Sequence, residues 1–262
     1  RTLPLIASMF IGVLSMKTGI ASTNGHPNLT VTKTDISTIT ERLPIITSAK
    51  LALNKMIARV DKSISTDIDV PVPVDAGGGY THEQHKRNYS LMYDVALLFQ
   101  LTGDEKYLHA VRKILLDYAD LYPTLGIHPK PKEQTPGKLF WQSLNESVWL
   151  VHVIQAYDMV AGALSTENRS VIENDLLRPV ANYLSAGQPQ TFNKIHNHGT
   201  WAVAAVGMTG YVLNDDTLIK QALYGLDMSG KAGFLKQIES LFSPDGYYSE
   251  GPYYQRYALM TL

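Results

Sequence analysis

The chain has 262 residues, 45% hydrophobic and 18% charged, a globular composition long enough to bury a core without staples. Lys+Arg number 23 against 24 Asp+Glu, a net charge of −1, which argues against a general nucleic-acid binder. With Cys at 0, a disulfide framework, a thiol nucleophile and a cysteine zinc site are excluded.

In chain order, the basic Arg1 precedes an apolar run over residues 3–14, then the small residues Gly19, Ala21 and Ser22. That is the layout of a secretory signal segment. It predicts a periplasmic or secreted protein, with residues 1–22 as the signal and 23–44 as a leader or linker. The run is too short to cross a bilayer. An amphipathic first helix is the competing reading.

From about residue 45 the apolar spacing is helical. Leu51, Leu53, Met56, Ile57 and Ile64 mark one helix, and Tyr89, Tyr93, Ala96, Leu97 and Phe99 the next. Gly103-Asp104 breaks the pattern, and Tyr107, Val111, Ile114, Leu115 and Tyr118 resume it. A further helix is predicted over 140–160, a cap at Ser165, and helices over 201–212, 218–226 and 234–242. A last helix starts near Glu250. Alternating strand patterns are scarce. The expected fold is all-α, built from antiparallel helical hairpins. Two stretches interrupt it. One is a proline-then-glycine loop over 70–79, and the other carries Pro123, Pro129, Pro131 and Pro136 over 122–138. Long ordered loops often carry function. Neither loop has the glycine spacing of a phosphate loop.

Four motifs could carry chemistry. In Thr81-His82-Glu83-Gln84-His85-Lys86-Arg87-Asn88-Tyr89, position i+4 from His82 is Lys86, so the zinc-protease pattern fails. The segment reads either as a polar helix start or as the positive edge of a pocket, with His85, Lys86 and Tyr89 facing an anionic ligand. In Phe192-Asn193-Lys194-Ile195-His196-Asn197-His198-Gly199-Thr200-Trp201, Asn197 and His198 fall in the first turn of an apolar helix. That places them to cap it or to meet a carboxylate. Gln142, Asn145 and Glu146 form a polar stripe on an otherwise apolar helix, facing either solvent or a bound sugar. The fourth motif, Tyr247-Tyr248-Ser249-Glu250-Gly251-Pro252-Tyr253-Tyr254-Gln255-Arg256-Tyr257, holds five of the 15 Tyr. A helix beginning near Ser249 would put Glu250, Tyr253, Tyr254 and Tyr257 on one face. With no Gly-x-Ser-x-Gly elbow, this set suits proton abstraction beside a carboxylate better than acyl transfer.

Three of these pieces, taken in order, carry a resemblance: Gly77-Gly78-Gly79-Tyr80-Thr81-His82-Glu83-Gln84-His85-Lys86, Asn197-His198-Gly199-Thr200-Trp201 and Ser249-Glu250-Gly251-Pro252-Tyr253-Tyr254-Gln255-Arg256-Tyr257. Over roughly residues 45–262 the chain resembles polysaccharide lyase family 17, the oligoalginate lyases of the heparinase II/III group. The resemblance implies an incomplete (α/α) toroid, truncated at its C-terminal side inside a helix. In full-length relatives a β-sandwich domain follows, which is absent here. It implies exolytic β-elimination of oligoalginate to an unsaturated monouronate. Asn197 and His198 match the pair that neutralises the uronate carboxylate, and Tyr254 matches the catalytic tyrosine, with Tyr253 its close competitor. Gln142, Asn145 and Glu146 would line the sugar site, beside His85, Lys86, Tyr89, Tyr253, Arg256 and Tyr257 as further substrate-binding residues. No metal or organic cofactor is expected. The family's structural zinc, second tyrosine and further histidine belong to the region beyond this chain. The expected partners are an alginate oligosaccharide and, in a homodimer, a second copy of the chain. Neither nucleic acid nor a membrane is expected.

The implied chemistry suits these residue types. Neutral donors on the carboxylate remove charge that would oppose a carbanion at C5. Tyr254 then protonates the departing O4 or, ionised, removes the C5 proton. A free tyrosine ionises near pH 10, so the second role needs nearby cations such as His198 or Arg256. Other readings are a lyase for another uronan, a non-catalytic sugar-binding domain, and an inverting glycoside hydrolase. The hydrolase would use two carboxylates, drawn from Glu146 with Glu250 or Asp245.

Overall fold

The computed structural model describes residues 25–260. The signal segment expected over 1–22 lies outside the described residues. Among those described there is no strand, only an isolated antiparallel bridge between Phe242 and Tyr248. The all-α expectation holds.

The helices are α1 (Lys33–Arg42), α2 (Thr47–Ile64), α3 (Tyr80–Thr102), α4 (Glu105–Leu121), α5 (Ser143–Ala161), α6 (Thr166–Val171), α7 (Arg178–Leu184), α8 (Pro189–Phe192), α9 (Asn197–Val212), α10 (Asp216–Tyr224), α11 (Phe234–Leu241) and α12 (Pro252–Leu259). A π-helical turn, Ile172–Leu177, joins α6 to α7. The breaks are chemically explicit. Gly103 closes α3 in the left-handed region at φ 68°, and Asp104 caps α4 by accepting the Lys106 N–H. Ser165 caps α6, as expected. Asp215 caps α10 by accepting from Thr217 and Leu218.

Packing builds two layers. α3, α5 and α9 lie side by side, with α4 against α3 and α10 against α9. The π-turn and α7 close the second layer against α4, α5 and α9. α5 is central and buried on nearly all sides, which is why its sequence is apolar all round rather than striped. Trp149, Tyr118, Phe140 and Trp201 are among the largest fully buried side chains, each contributing roughly 2–3 kcal/mol of burial.

Two expectations need correction. Residues 33–42 are helical rather than linker. A Thr32–Asp35 capping box starts this helix, and the segment before it is tied down. Asp158, buried on α5, accepts from the backbone of Asn28 at 2.9 Å and Leu29 at 2.8 Å, and pairs with His26 Nδ1 at 2.6 Å. The helix expected over 140–160 starts at Ser143 instead. Before it, the chain folds on itself. His128 N–H donates to the Gly137 carbonyl, Lys132 N–H to Trp141 and Ser143 N–H to Thr135. Buried Glu146 accepts the Lys138 and Leu139 amides. A Cβ at Gly137 would collide with the Phe140 carbonyl and crowd Glu146. The loops over 70–79 and 122–142 meet where the Trp141 ring covers Gly77.

Candidate active site

The histidine motif forms a bent entry into α9. His196 is the N-cap, and its Nδ1 accepts the His198 N–H at 3.3 Å. The bend needs Gly199, because a Cβ there would collide with the Lys194 carbonyl. Gln237 of α11, buried, braces it. Gln237 donates to the Lys194 carbonyl at 2.6 Å and accepts from the His196 backbone and the Thr200 hydroxyl. Asn197 is thereby held as the first residue of α9, 4% exposed, where helix N–H groups favour negative charge.

The tyrosine motif reaches the same place from α12. Gly251, at φ 90°, turns the chain into Pro252 at the helix start. Glu250 precedes that turn. Its Oε1 accepts from the Asn197 backbone at 3.0 Å and from the Tyr248 hydroxyl at 2.7 Å, and its Oε2 accepts from Asn197 Nδ2 at 2.6 Å. Together Leu144, His196, Asn197, His198, Glu250, Tyr253, Tyr254 and Tyr257 line a cleft of about 420 Å³. The two motifs, more than fifty residues apart, form one site.

Its electrostatics follow from burial. Burial first, then His196, Lys194 and Lys132, hold the His198 imidazole down at about 4, against an opposing pull from Glu250. His198 is therefore a neutral donor near pH 7. Glu250 sits below the usual carboxylate range: burial opposes this, but the bonds from Tyr248 and Asn197 outweigh it. Tyr257 packs on Trp201 with ring centroids 4.8 Å apart, and burial, with Tyr89 and Tyr254 nearby, pushes it to about 12. Its hydroxyl stays protonated. Tyr253 and Tyr254 stack edge to face at 5.4 Å and are both exposed.

Not every expected residue joins them. His85 is wholly buried and meets the Tyr118 hydroxyl at 2.9 Å, so it faces the core and not a ligand. Glu146 is also wholly buried. The Tyr122 hydroxyl and two loop amides occupy it, so it neither lines the cleft nor serves as a hydrolytic carboxylate. Asp245 is exposed on a turn and is not among the cleft-lining residues. Arg256 faces a different groove, with Pro252, Gln255, Leu259 and Met260. Lys86 and Tyr89 line a third, with Arg59 and Arg87. There Lys86 is engaged by Glu83 at 3.0 Å, while Tyr89 stacks on His152. Gln142 and Asn145 are partly exposed, each with a buried amide oxygen that meets no donor among the described residues. Sequence reasoning missed His196, Leu144 and the buried Tyr248. His196 and Tyr248 stand inside the quoted motifs, but nothing in the spacing marks one as a cap and the other as a buried donor.

The family described as alginate lyase matches residues 40–262. A Saccharophagus degradans protein named exo-oligoalginate lyase is 55% identical over 258 residues, 98% of this chain and 35% of that protein. A Stenotrophomonas maltophilia protein named alginate lyase is 56% identical over 202 residues, 77% of this chain and 27% of that protein. The chain thus spans about a third of these relatives' length or less. A match over most of the chain places the chain in the alginate lyase family.

Proposed function

We propose that the cleft between α9 and α12 serves exolytic β-elimination of alginate oligosaccharides, with release of an unsaturated monouronate. Family membership supports the alginate part, and the name of the Saccharophagus degradans relative supports oligomers and an exolytic mode. The observation that carries the chemistry is the meeting of a buried amide, a neutral imidazole and exposed tyrosines in one cleft. In this reading Asn197 and His198 donate to the uronate carboxylate as charge moves onto it in the transition state. A protonated imidazole would bind the ground-state carboxylate as well. A neutral donor gains most as the enolate-like charge grows, which is the difference that accelerates a reaction. Tyr254 serves the proton transfer at C5 or O4, and Tyr253 and Tyr257 flank the sugar ring. The segment over 1–22 would route the protein to the periplasm or outside the cell. A hydrolase reading lacks its pair of carboxylates: Glu146 is enclosed and Glu250 is held ionised by its donors.

The test is Tyr254→Phe. Ultraviolet absorbance of the new double bond should fall by about 10²–10⁴-fold, while calorimetric binding of the oligomer is retained. Full turnover in that variant would move the role to Tyr253 or away from this cleft. Cleavage without the double-bond absorbance would replace elimination with hydrolysis.

A further inference from the structure

The geometry points to Glu250 as a positioning residue, one that orients the Asn197 amide and ties it to the tyrosine helix. This rests on the elimination reading above. Two donors of Asn197, its backbone N–H and its Nδ2, converge on the one carboxylate, at 3.0 and 2.6 Å. A third donor, the Tyr248 hydroxyl, bonds the same carboxylate at its Oε1 at 2.7 Å. Tyr248 is fully buried and bridged to Phe242, so it is a rigid anchor.

The consequence concerns the amide. A primary amide has two nearly isosteric orientations, one presenting N–H and the other C=O. Beside a carboxylate only one survives, because the flipped form would set Oδ1 against Oε2. Glu250 therefore selects the orientation with Nδ2 inward, spends one of its hydrogens, and leaves the second for a ligand. It also occupies the Asn197 backbone N–H, so the side chain rather than the helix terminus is what a ligand meets. Four residues further on lies Tyr254, across the Gly251 turn. One carboxylate thus links the donor of α9 to the tyrosines of α12. A carboxylate in a cleft that takes carboxylates is electrostatically adverse, and this linkage explains its presence.

The test uses Glu250→Gln, Asn197→Ala and their combination in the full chain. In Glu250→Gln the new NH₂ faces Nδ2, and the Asn197 amide turns over. The kcat should fall about 10–100-fold, with KM changed less than about threefold. Added to Asn197→Ala, the same change should lower kcat by no more than about twofold further, because the group it acts through is gone. Multiplying effects, or wild-type kcat in Glu250→Gln beside an impaired Asn197→Ala, would overturn the inference. If Glu250→Gln fails to fold, Tyr248→Phe loosens the same carboxylate and should show a smaller loss with the same dependence on Asn197. A readout independent of turnover is the side-chain NH₂ resonance of Asn197. One of its protons should lie downfield in the wild type and return in Glu250→Gln. An unmoved resonance sinks the inference, whereas a wild type that makes no double bond sinks only the elimination reading.

Discussion

Glu146 illustrates how much a single buried carboxylate organises. It accepts from the Tyr122 hydroxyl at 2.7 Å, the Lys138 amide at 2.8 Å and the Leu139 amide at 3.2 Å. Burial raises its pKa, and these donors pull it back. Glu146→Ala strands three buried donors, and a stranded donor costs about 1–3 kcal/mol. The expected loss is about 3 kcal/mol in urea unfolding, while Glu146→Gln, which keeps an acceptor for the loop amides, should lose about half of that. Equal losses would mean that volume, and not hydrogen bonding, sets the effect. The spacing predicts one helix face for Gln142, Asn145 and Glu146, whereas Gln142 is the residue before α5, and spacing does not say which way each is turned. The direction is decided by a loop folding back over the helix start, and its amides are identified only in three dimensions. Asn197, His198 and Tyr254 were more legible, because a polar helix start and a tyrosine-rich turn are unusual next to apolar helices.

At the scale of elements, legibility tracks how much of each helix is buried. The spacing located α3, α4 and α10 well, since each has a buried stripe and explicit stops. α1 escaped notice because Ile36 is its one buried residue and its capping box uses Asp in place of Glu or Gln. The segment leading into it is held by the clasp at Asp158, 129 or more residues away from His26, Asn28 and Leu29 in the chain. Asp158→Ala removes that acceptor from the backbone of Asn28 and Leu29 and from His26. Solvent can then satisfy these groups, so the expected result is local release and not global unfolding. Hydrogen exchange should accelerate at Asn28 and Leu29 by about 10-fold or more and stay unchanged in α9. If those two amides keep wild-type protection, the segment is held by its apolar contacts and not by Asp158.

For the whole molecule, the two layers enclose charge-bearing groups whose neutrality the fold enforces. His82, His85 and His128 are buried together, where α3 meets the loops over 70–79 and 122–142. The Phe140 ring packs on His82 and His85, Tyr118 contacts His85 from α4, and Lys130 N–H donates to His128. The nearby charges are Glu83 and Lys86 on α3 and Asp75 and Lys130 on the loops. Burial lowers all three histidines, His85 to about 3. The unfolded chain takes up protons as pH falls below about 6.5, whereas the folded chain keeps these rings neutral to lower pH. The unfolded state then binds more protons, so stability rises with pH and is lost on acidification. Between about pH 6.5 and 4.5 His85 should contribute up to about 1.4 kcal/mol per pH unit, and His82 and His128 act in the same direction. The carboxylates held low, such as Asp61 and Asp75, act in the same direction but near or below their ordinary value of 3.8, mostly outside this window. His85→Gln therefore isolates one share. Unfolding free energies from urea titrations across the window should fall less steeply in that variant than in the wild type, by up to about 1.4 kcal/mol per pH unit. Parallel slopes would show that His85 becomes protonated in the folded state as readily as in the unfolded one. The same acid range leaves His198 neutral down to about 4, so activity lost between pH 6.5 and 4.5 should not follow protonation of the His198 ring.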